Sequence, residues 1–329
     1  MISISLCNLW FGGILKIYSR QRMNDCAKKQ GFKSVVKRIP VIGPLAVKFN
    51  SWLKPKPTDD SLAGLQAMIA QVRSSMPCYM GDNMVLTRVK GMKMFLPADD
   101  CTISPHLILD GEWEPWVTKV FQTLVKPGMT VVDVGANVGY FTLLAAWGTG
   151  PSGKVYAFEP EPKNFRLLSR NVDVNGMTWV TVNRKALWNK AGTAELYTTD
   201  ACGGHSLIGN TQPTTSGKIQ VETIPLDNYL TPGQRVDFIK IDAEGAEPFI
   251  MEGMQEVLKA NPKAKILLEF APMFLKASGR DPMQFIDWIK GLGYSVKLVQ
   301  HDATLTTDID WVKVIADDGW LEMLLLEKA

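Results

Sequence analysis

Histidine is scarce in this sequence and paired cysteine is missing. Three histidines (His106, His205, His301) in 329 residues are too few and too dispersed for a histidine-rich metal centre. The five cysteines, Cys7, Cys26, Cys78, Cys101 and Cys202, are odd in number, scattered, and form no C-x-x-C pair. Neither a disulfide framework nor a zinc site is indicated, no metal is expected from these residues, and a reducing compartment suits them best. No internal repeat is visible. No RNA- or DNA-binding motif accompanies the basic residues, so no nucleic-acid partner is expected. The stretch 2–18 is shorter than the ~20 apolar residues of a spanning helix and is interrupted by Asn8, Gly12, Gly13 and Lys16. A secretory signal places positive charge before its apolar stretch, whereas residues 1–15 carry none and the bases follow.

What is present is a marked asymmetry of charge. Residues 1–57 hold eleven Lys and Arg against Asp25 alone, a net +10, while the remainder holds 25 basic against 32 acidic residues, a net −7. Apolar groups such as Leu9, Trp10, Phe11, Ile14, Val41, Phe49 and Trp52 are interleaved with those bases. This composition is expected of a segment lying on an anionic membrane surface, where each base contributes on the order of 1 kcal/mol; a solvated or partner-binding tail is the competing reading. The expected location is cytoplasmic, peripheral at the inner membrane face. Met23 is a second candidate start, one that would remove the most apolar part.

Prolines 40, 44, 55 and 57 punctuate this extension, and KPKPT reads as a linker. The expected organisation is a basic extension (1–57), a small β-containing lead-in (58–110) and a main domain (111–329). In the lead-in, a helix is expected over 61–75, a hairpin from 84–89 and 92–96, and a further strand over 106–109, with a helix over 112–125 preceding the main sheet. From residue 126 onward strands and helices alternate, as a doubly wound, mostly parallel α/β sheet requires. Seven strands are expected, at 130–134, 154–158, 178–183, 236–241, 264–270, 294–299 and 321–327. Helices are expected at 139–147, 162–175, 246–259 and 282–291. Between 191 and 226 the period changes to two strands joined by a Gly-, Thr- and Ser-rich stretch, an insertion placed to form a substrate wall.

The most informative motif is VVDVGANVG at 131–139, followed by Glu159 at the end of VYAFEP. The valines read as a buried parallel strand, and Gly135 and Gly139 let the backbone turn where a β-carbon would collide. Glu159, at the end of the second strand, is placed to accept hydrogen bonds from both hydroxyls of a ribose. A dinucleotide fingerprint would need a glycine where Asn137 stands, because backbone there approaches a pyrophosphate. Asp133 has no use beside a pyrophosphate but suits the sulfonium and ammonium end of S-adenosylmethionine. The motif therefore points to S-adenosylmethionine, with NAD as the alternative.

A second constellation, VDFIKIDAEGAE at 236–247, carries the candidate chemistry. Strand alternation puts Lys240, Asp242 and, if the strand continues, Glu244 on one face. Three ionisable side chains at the end of an apolar strand are costly unless they pair or meet a ligand. The strand they end should lie beside the first, across the switch-point crevice. Methyl transfer from a sulfonium is largely a matter of alignment, helped by a base when the nucleophile is a hydroxyl. Asp242 or Glu244 is the candidate base, with Lys240 orienting substrate or setting their charge. A carboxylate pair can instead hold magnesium, or Lys240 and Asp242 can pair merely to shape the crevice. Glu269 is a further inward candidate, and His205, on the insertion, is a weaker one.

DVGANVGYFT, AFEPEPKNFRLLSRNVDVNG, ALWNKAGTAEL, IPLDNYL and FIKIDAEGAEPFIMEG occur here in the order seen in the FkbM-type methyltransferases, and the chain resembles that family over about residues 110–300. GEWEPW, before the first strand, is similar to that family's leading helix. The resemblance implies a class I, Rossmann-like, S-adenosylmethionine-dependent fold and O-methylation of a sugar or polyketide hydroxyl. By matching motif it implies that Asp133, Gly135, Asn137, Gly139 and Glu159 contact the cofactor and that Asp242 and Glu244 border the methyl group. The expected function is O-methylation of a saccharide or glycan-like acceptor. An NAD-dependent oxidoreductase and a non-catalytic module docking on membranes are the alternatives.

Overall fold

The computed structural model describes residues 76–200, 203–209, 215–316 and 321–328. The chain divides into two units, Met1–Arg73 and Ser74–Ala329, and every described residue belongs to the second. The basic extension, the helix expected over 61–75, and Cys7, Cys26 and Cys202 lie outside the described residues. Among the described residues, no helix is long and apolar enough to cross a membrane.

The unit opens with a three-stranded antiparallel meander, β1 (Cys78–Gly81), β2 (Met84–Val89) and β3 (Met92–Pro97). The last two are the expected hairpin. The segment expected as a strand over 106–109 is instead the end of helix α1 (Ile103–Leu109). Asp100 decides this, because its carboxylate accepts the free N–H groups of Thr102, Ile103 and Ser104 and starts a helix there. Helix α2 (Pro115–Leu124) follows, burying Val117, Val120 and Phe121.

The main sheet is built from β4 (Thr130–Val134), β5 (Lys154–Phe158), β6 (Val180–Asn183), β10 (Phe238–Ile241), β11 (Lys265–Phe270), β12 (Tyr294–Val299), β13 (Leu305–Thr306) and β14 (Glu322–Lys328). Its order is β13-β12-β14-β11-β10-β4-β5-β6, with parallel pairing from β11 to β6 and antiparallel pairing by β14 and β13. The fold is the doubly wound, mostly parallel α/β sheet expected, with eight strands rather than seven. The additional strand is two residues long, too short to carry any periodicity of its own, and exists only by pairing with β12.

The central strands are apolar on both faces because both are covered. Val131, Phe238, Leu267 and Leu325 point into one core with α2, α3 (Tyr140–Thr149) and α4 (Pro162–Val174). Val132, Ile239, Leu268 and Leu324 point into the other, with α6 (Glu247–Glu252), α7 (Gln255–Ala260) and α9 (Pro282–Gly291). The single helix expected over 246–259 is broken into α6 and α7 at Gly253. A β-carbon there would sit 2.2 Å from the Trp188 carbonyl oxygen, so the chain turns where it meets that backbone.

Between these halves, β7 (Ala186–Leu187), β8 (Gly192–Thr199) and β9 (Thr215–Ile224) form a separate three-stranded sheet, the insertion the sequence signals. Helices α5 (Leu226–Tyr229), α8 (Pro272–Ala277) and α10 (Trp311–Ala316) complete the described elements. The chain winds from β4 outward through β5 and β6, then returns to the other side of β4 as β10. The strand order therefore reverses between β4 and β10, leaving a crevice at their carboxyl ends.

Candidate active site

The crevice holds a cavity of about 350 Å³. Its floor is the loop after β4. Gly135 has φ +72°, and a β-carbon on it would lie 1.8 Å from the Asp242 carbonyl oxygen, so only glycine lets the ends of β4 and β10 come this close. The N–H groups of Gly135 and Ala136 both donate to the Phe158 carbonyl, tying the loop to β5. Asn137 adopts φ +51°, and its N–H donates to Glu159 Oε2 at 2.8 Å. Glu159 Oε1 accepts the Glu161 N–H at 2.9 Å. The buried carboxyl is pushed up to about 7 by its removal from water; these two backbone bonds oppose the shift, and the neighbouring Glu161 and Asp133 add to it.

Gly135, Asn137 and Glu159 line the cavity, whereas Gly139 and Asp133 do not. Gly139 serves packing: at φ +97°, its β-carbon would lie 2.8 Å from Leu168 Cδ1 on α4. Asp133 is fully buried beneath the floor. Its Oδ2 accepts the Thr142 hydroxyl at 2.5 Å, and its Oδ1 has no hydrogen bond but lies 4.0 Å from Lys240 Nζ.

Lys240 reaches the cavity from β10 with its ammonium 3.0 Å from Asp242 Oδ2 and 4.8 Å above the Phe141 ring. Burial alone would depress its pKa, but Asp242 and Asp133 outweigh that and hold it above the ordinary lysine range. Burial also dominates at Asp133 and raises its pKa despite Lys240 and Thr142. A 3.0 Å contact is the stronger constraint, so Lys240 is a charged lysine paired first with Asp242.

The alternation that would carry Glu244 along β10 stops at Ile241. Glu244 instead sits in a turn at φ +53°, its N–H 3.4 Å from Glu269 Oε2 and its carbonyl accepting the Ser206 hydroxyl at 2.7 Å. Buried Glu247 closes that turn by accepting the N–H groups of Ala243 and Gly245 on Oε1. Asp242 and Glu269 are the residues immediately after the paired ends Ile241 and Leu268 of adjacent parallel strands, so the sheet itself brings them together. Burial, then the charges of Asp242 and Glu244, push Glu269 well above the usual carboxylate range. Lys240, Asp242, Glu244 and Glu269 all line the same cavity as Glu159.

His205 also lines it, and its Nδ1 accepts the Thr199 N–H at 3.1 Å. Burial lowers its pKa, so the ring is neutral with its proton on Nε2. The Nε2–H is then the ring's remaining polar group.

Glu114 is the site residue that the sequence reading passes over. It stands before α2 at φ +44°, lines the cavity, and has an Oε2 closed to solvent without a hydrogen bond. Burial, then the charge of Asp242, lift it to about 7 against the opposing effect of Lys240. An acid before Pro115 reads as an ordinary helix start; the departure is that its side chain caps nothing.

A doubly wound sheet with a glycine loop and an acid at successive strand ends defines an α/β protein of Rossmann type. Residues 133–296 match the methyltransferase FkbM domain, and the chain belongs to that family. It is 31% identical over 161 residues to methyltransferase sdnD of Sordaria araneosa, covering 38% of this chain and 60% of that protein. It is 26% identical over 130 residues to the hexuronic acid methyltransferase AglP of Haloferax volcanii, covering 39% of this chain and 51% of that protein. The chain thus spans little more than half the length of these relatives. The crystal structure of methyltransferase FkbM from Methylobacillus flagellatus KT superposes with a TM-score of 0.40 and 16% identity, covering 67% of this chain and 52% of that one.

Proposed function

We propose that the chain transfers a methyl group from S-adenosylmethionine to a hydroxyl of a saccharide or glycan-like acceptor. The observation that carries this reading is one cavity joining the Gly135–Asn137 loop and Glu159 to the acids around Lys240. The residues fit the donor. Each Glu159 oxygen takes one backbone N–H and keeps acceptor capacity for a ribose hydroxyl, and the acid end suits a cation. Asp133 acts through Lys240 in this reading, not by touching the donor. Gly139 supports the loop from behind.

The bound donor supplies an electrophilic methyl carbon on a sulfonium. Asp242, fixed by Lys240, or Glu244, fixed by its turn, would accept the hydroxyl proton at the acceptor end when that oxygen receives the methyl group. The AglP likeness favours a sugar acid as acceptor. The segment 1–57, with its net +10, is assigned to peripheral contact with an anionic membrane on the cytoplasmic side; binding to phosphatidylserine vesicles that fades with added salt tests it.

Calorimetry with S-adenosylmethionine, its demethylated product and NAD tests the donor, with the first two binding and NAD not. Labelled methyl transfer to a panel of uronic-acid and neutral sugars tests the acceptor. Asp242→Asn is expected to reduce turnover more than donor affinity. Tight NAD binding, or no nucleoside binding, overturns the reading.

A further inference from the structure

The acid end of the cavity gathers more carboxyl groups than its own lysines can pair. Asp242, Glu244, Glu269 and Glu114 line it together with two lysines, Lys240 and Lys185. Lys240 is shared between Asp242 and buried Asp133, and Lys185 pairs with Glu222 outside this group. One carboxylate oxygen from each of Asp242, Glu244 and Glu269 lies within 4.8 Å of the other two. Ligand oxygens on opposite sides of a cation, each ~2.3–2.6 Å from it, stand ~4.6–5.2 Å apart, so the three already have the spread of a coordination shell.

A separate observation bears on the same point. Glu114, the residue before α2 on another part of the chain, lines the cavity, and its Oε2 is closed to solvent with no hydrogen bond. A buried carboxylate oxygen without a donor is expensive. It lines the same cavity as Asp242 and Glu269, near enough for their charges to act on one another, and a cation or a water bound to that cation would satisfy it.

We propose that Asp242, Glu244 and Glu269 bind a hard divalent cation of the Mg2+, Mn2+ and Ca2+ group at the acceptor end of the cavity, with Glu114 oriented toward its outer shell. The donor set is all oxygen, which selects these ions over Zn2+ or Cu2+. The position is fixed by the sheet, because Asp242 and Glu269 extend from paired neighbouring strands. A cation here holds adjacent oxygens of a hydroxylated acceptor. The assignment deepens the methyl-transfer reading, and its test needs no acceptor.

Full-length chain is titrated with MnCl2, followed by calorimetry and by loss of the free Mn2+ resonance signal. One saturable site is expected, displaced by Mg2+ or Ca2+ and weakened at least about tenfold in Glu269→Gln and in Glu244→Gln. Far-UV circular dichroism checks folding. If Glu269→Gln does not fold, Glu244→Gln, in the half-buried turn, carries the comparison. Absence of saturable uptake, uptake unchanged in the folded variants, or displacement by Zn2+ alone overturns the assignment. S-adenosylmethionine binding is measured on the same preparations. Donor binding without Mn2+ binding removes the cation site and leaves methyl transfer standing; the reverse removes methyl transfer and leaves the cation site.

Discussion

Lys240 and Asp133 face one another in register on adjacent parallel strands, with the ammonium 4.0 Å from the carboxylate, and both side chains are buried. The pair links the glycine-loop strand to the strand bearing Asp242. Asp242 is thereby held relative to the loop through one lysine.

Lys240→Met is expected to destabilise the fold by about 3–5 kcal/mol, because it leaves Asp133 buried without compensation. Combining it with Asp133→Asn should recover part of that loss. Urea unfolding of the two single variants and the double variant checks this, and losses that simply add in the double variant would show that the pair is not coupled.

Gly135→Ala puts a β-carbon 1.8 Å from the Asp242 carbonyl oxygen and must spread the two strand ends. Gly233, also at positive φ, meets nothing within 4 Å. Gly233→Ala is therefore expected to show only the left-handed backbone penalty of about 1–2 kcal/mol, and Gly135→Ala a larger loss together with loss of donor binding. Thermal melts and donor titration read both, and similar melts for the two variants would contradict the close approach.

Glu159→Ala removes the acceptor for two backbone N–H groups and, on the proposed reading, for the donor's ribose. Donor affinity should fall at least tenfold, about 1.4 kcal/mol or more. Calorimetry with S-adenosylmethionine and its demethylated product should register the same fall for both, since they share the ribose. A fall for one alone would move Glu159 away from the sugar.

Glu159 and Glu114 are each lifted from 4.5 to about 7 in the folded chain, chiefly by burial. The folded state therefore binds protons more tightly than the unfolded state. Their stabilisation is fully present below the unfolded value and is lost as pH rises through about 7, on the order of 3 kcal/mol per carboxyl. Ligand-free protein should melt lower at about pH 8 than at about pH 5.5, with Glu159→Gln flattening the dependence. A slope unaffected by that substitution would assign it to other groups.

Much of this arrangement is legible in the sequence because it is written in local periodicity. The β4 and β5 strands, the hairpin of β2 and β3, and the insertion of β8 and β9 all follow from alternation and turn residues, as do Gly135, Asn137 and Glu159 at the cavity. The misplaced elements are those decided by a contact from elsewhere. Asp100 turns an apparent strand into α1, and the Trp188 carbonyl breaks the long helix at Gly253. Asp133 reads as lining the cavity because nothing along the chain shows that it is buried beside Lys240 instead. Glu114 goes unnoticed for the same reason: its unpaired oxygen is a property of its surroundings.

By itself the sequence determined the order of strands and helices, the tight loop after β4 and the acids that follow each strand, since these depend on residues within a few positions of one another. The folded chain alone decided which acids share a cavity, which is sealed beneath it and which are left without a proton or cation partner. Desolvation and charge act through space, and residues as distant in the chain as Glu114 and Asp242 acquire their chemistry only when the fold brings them into one cavity.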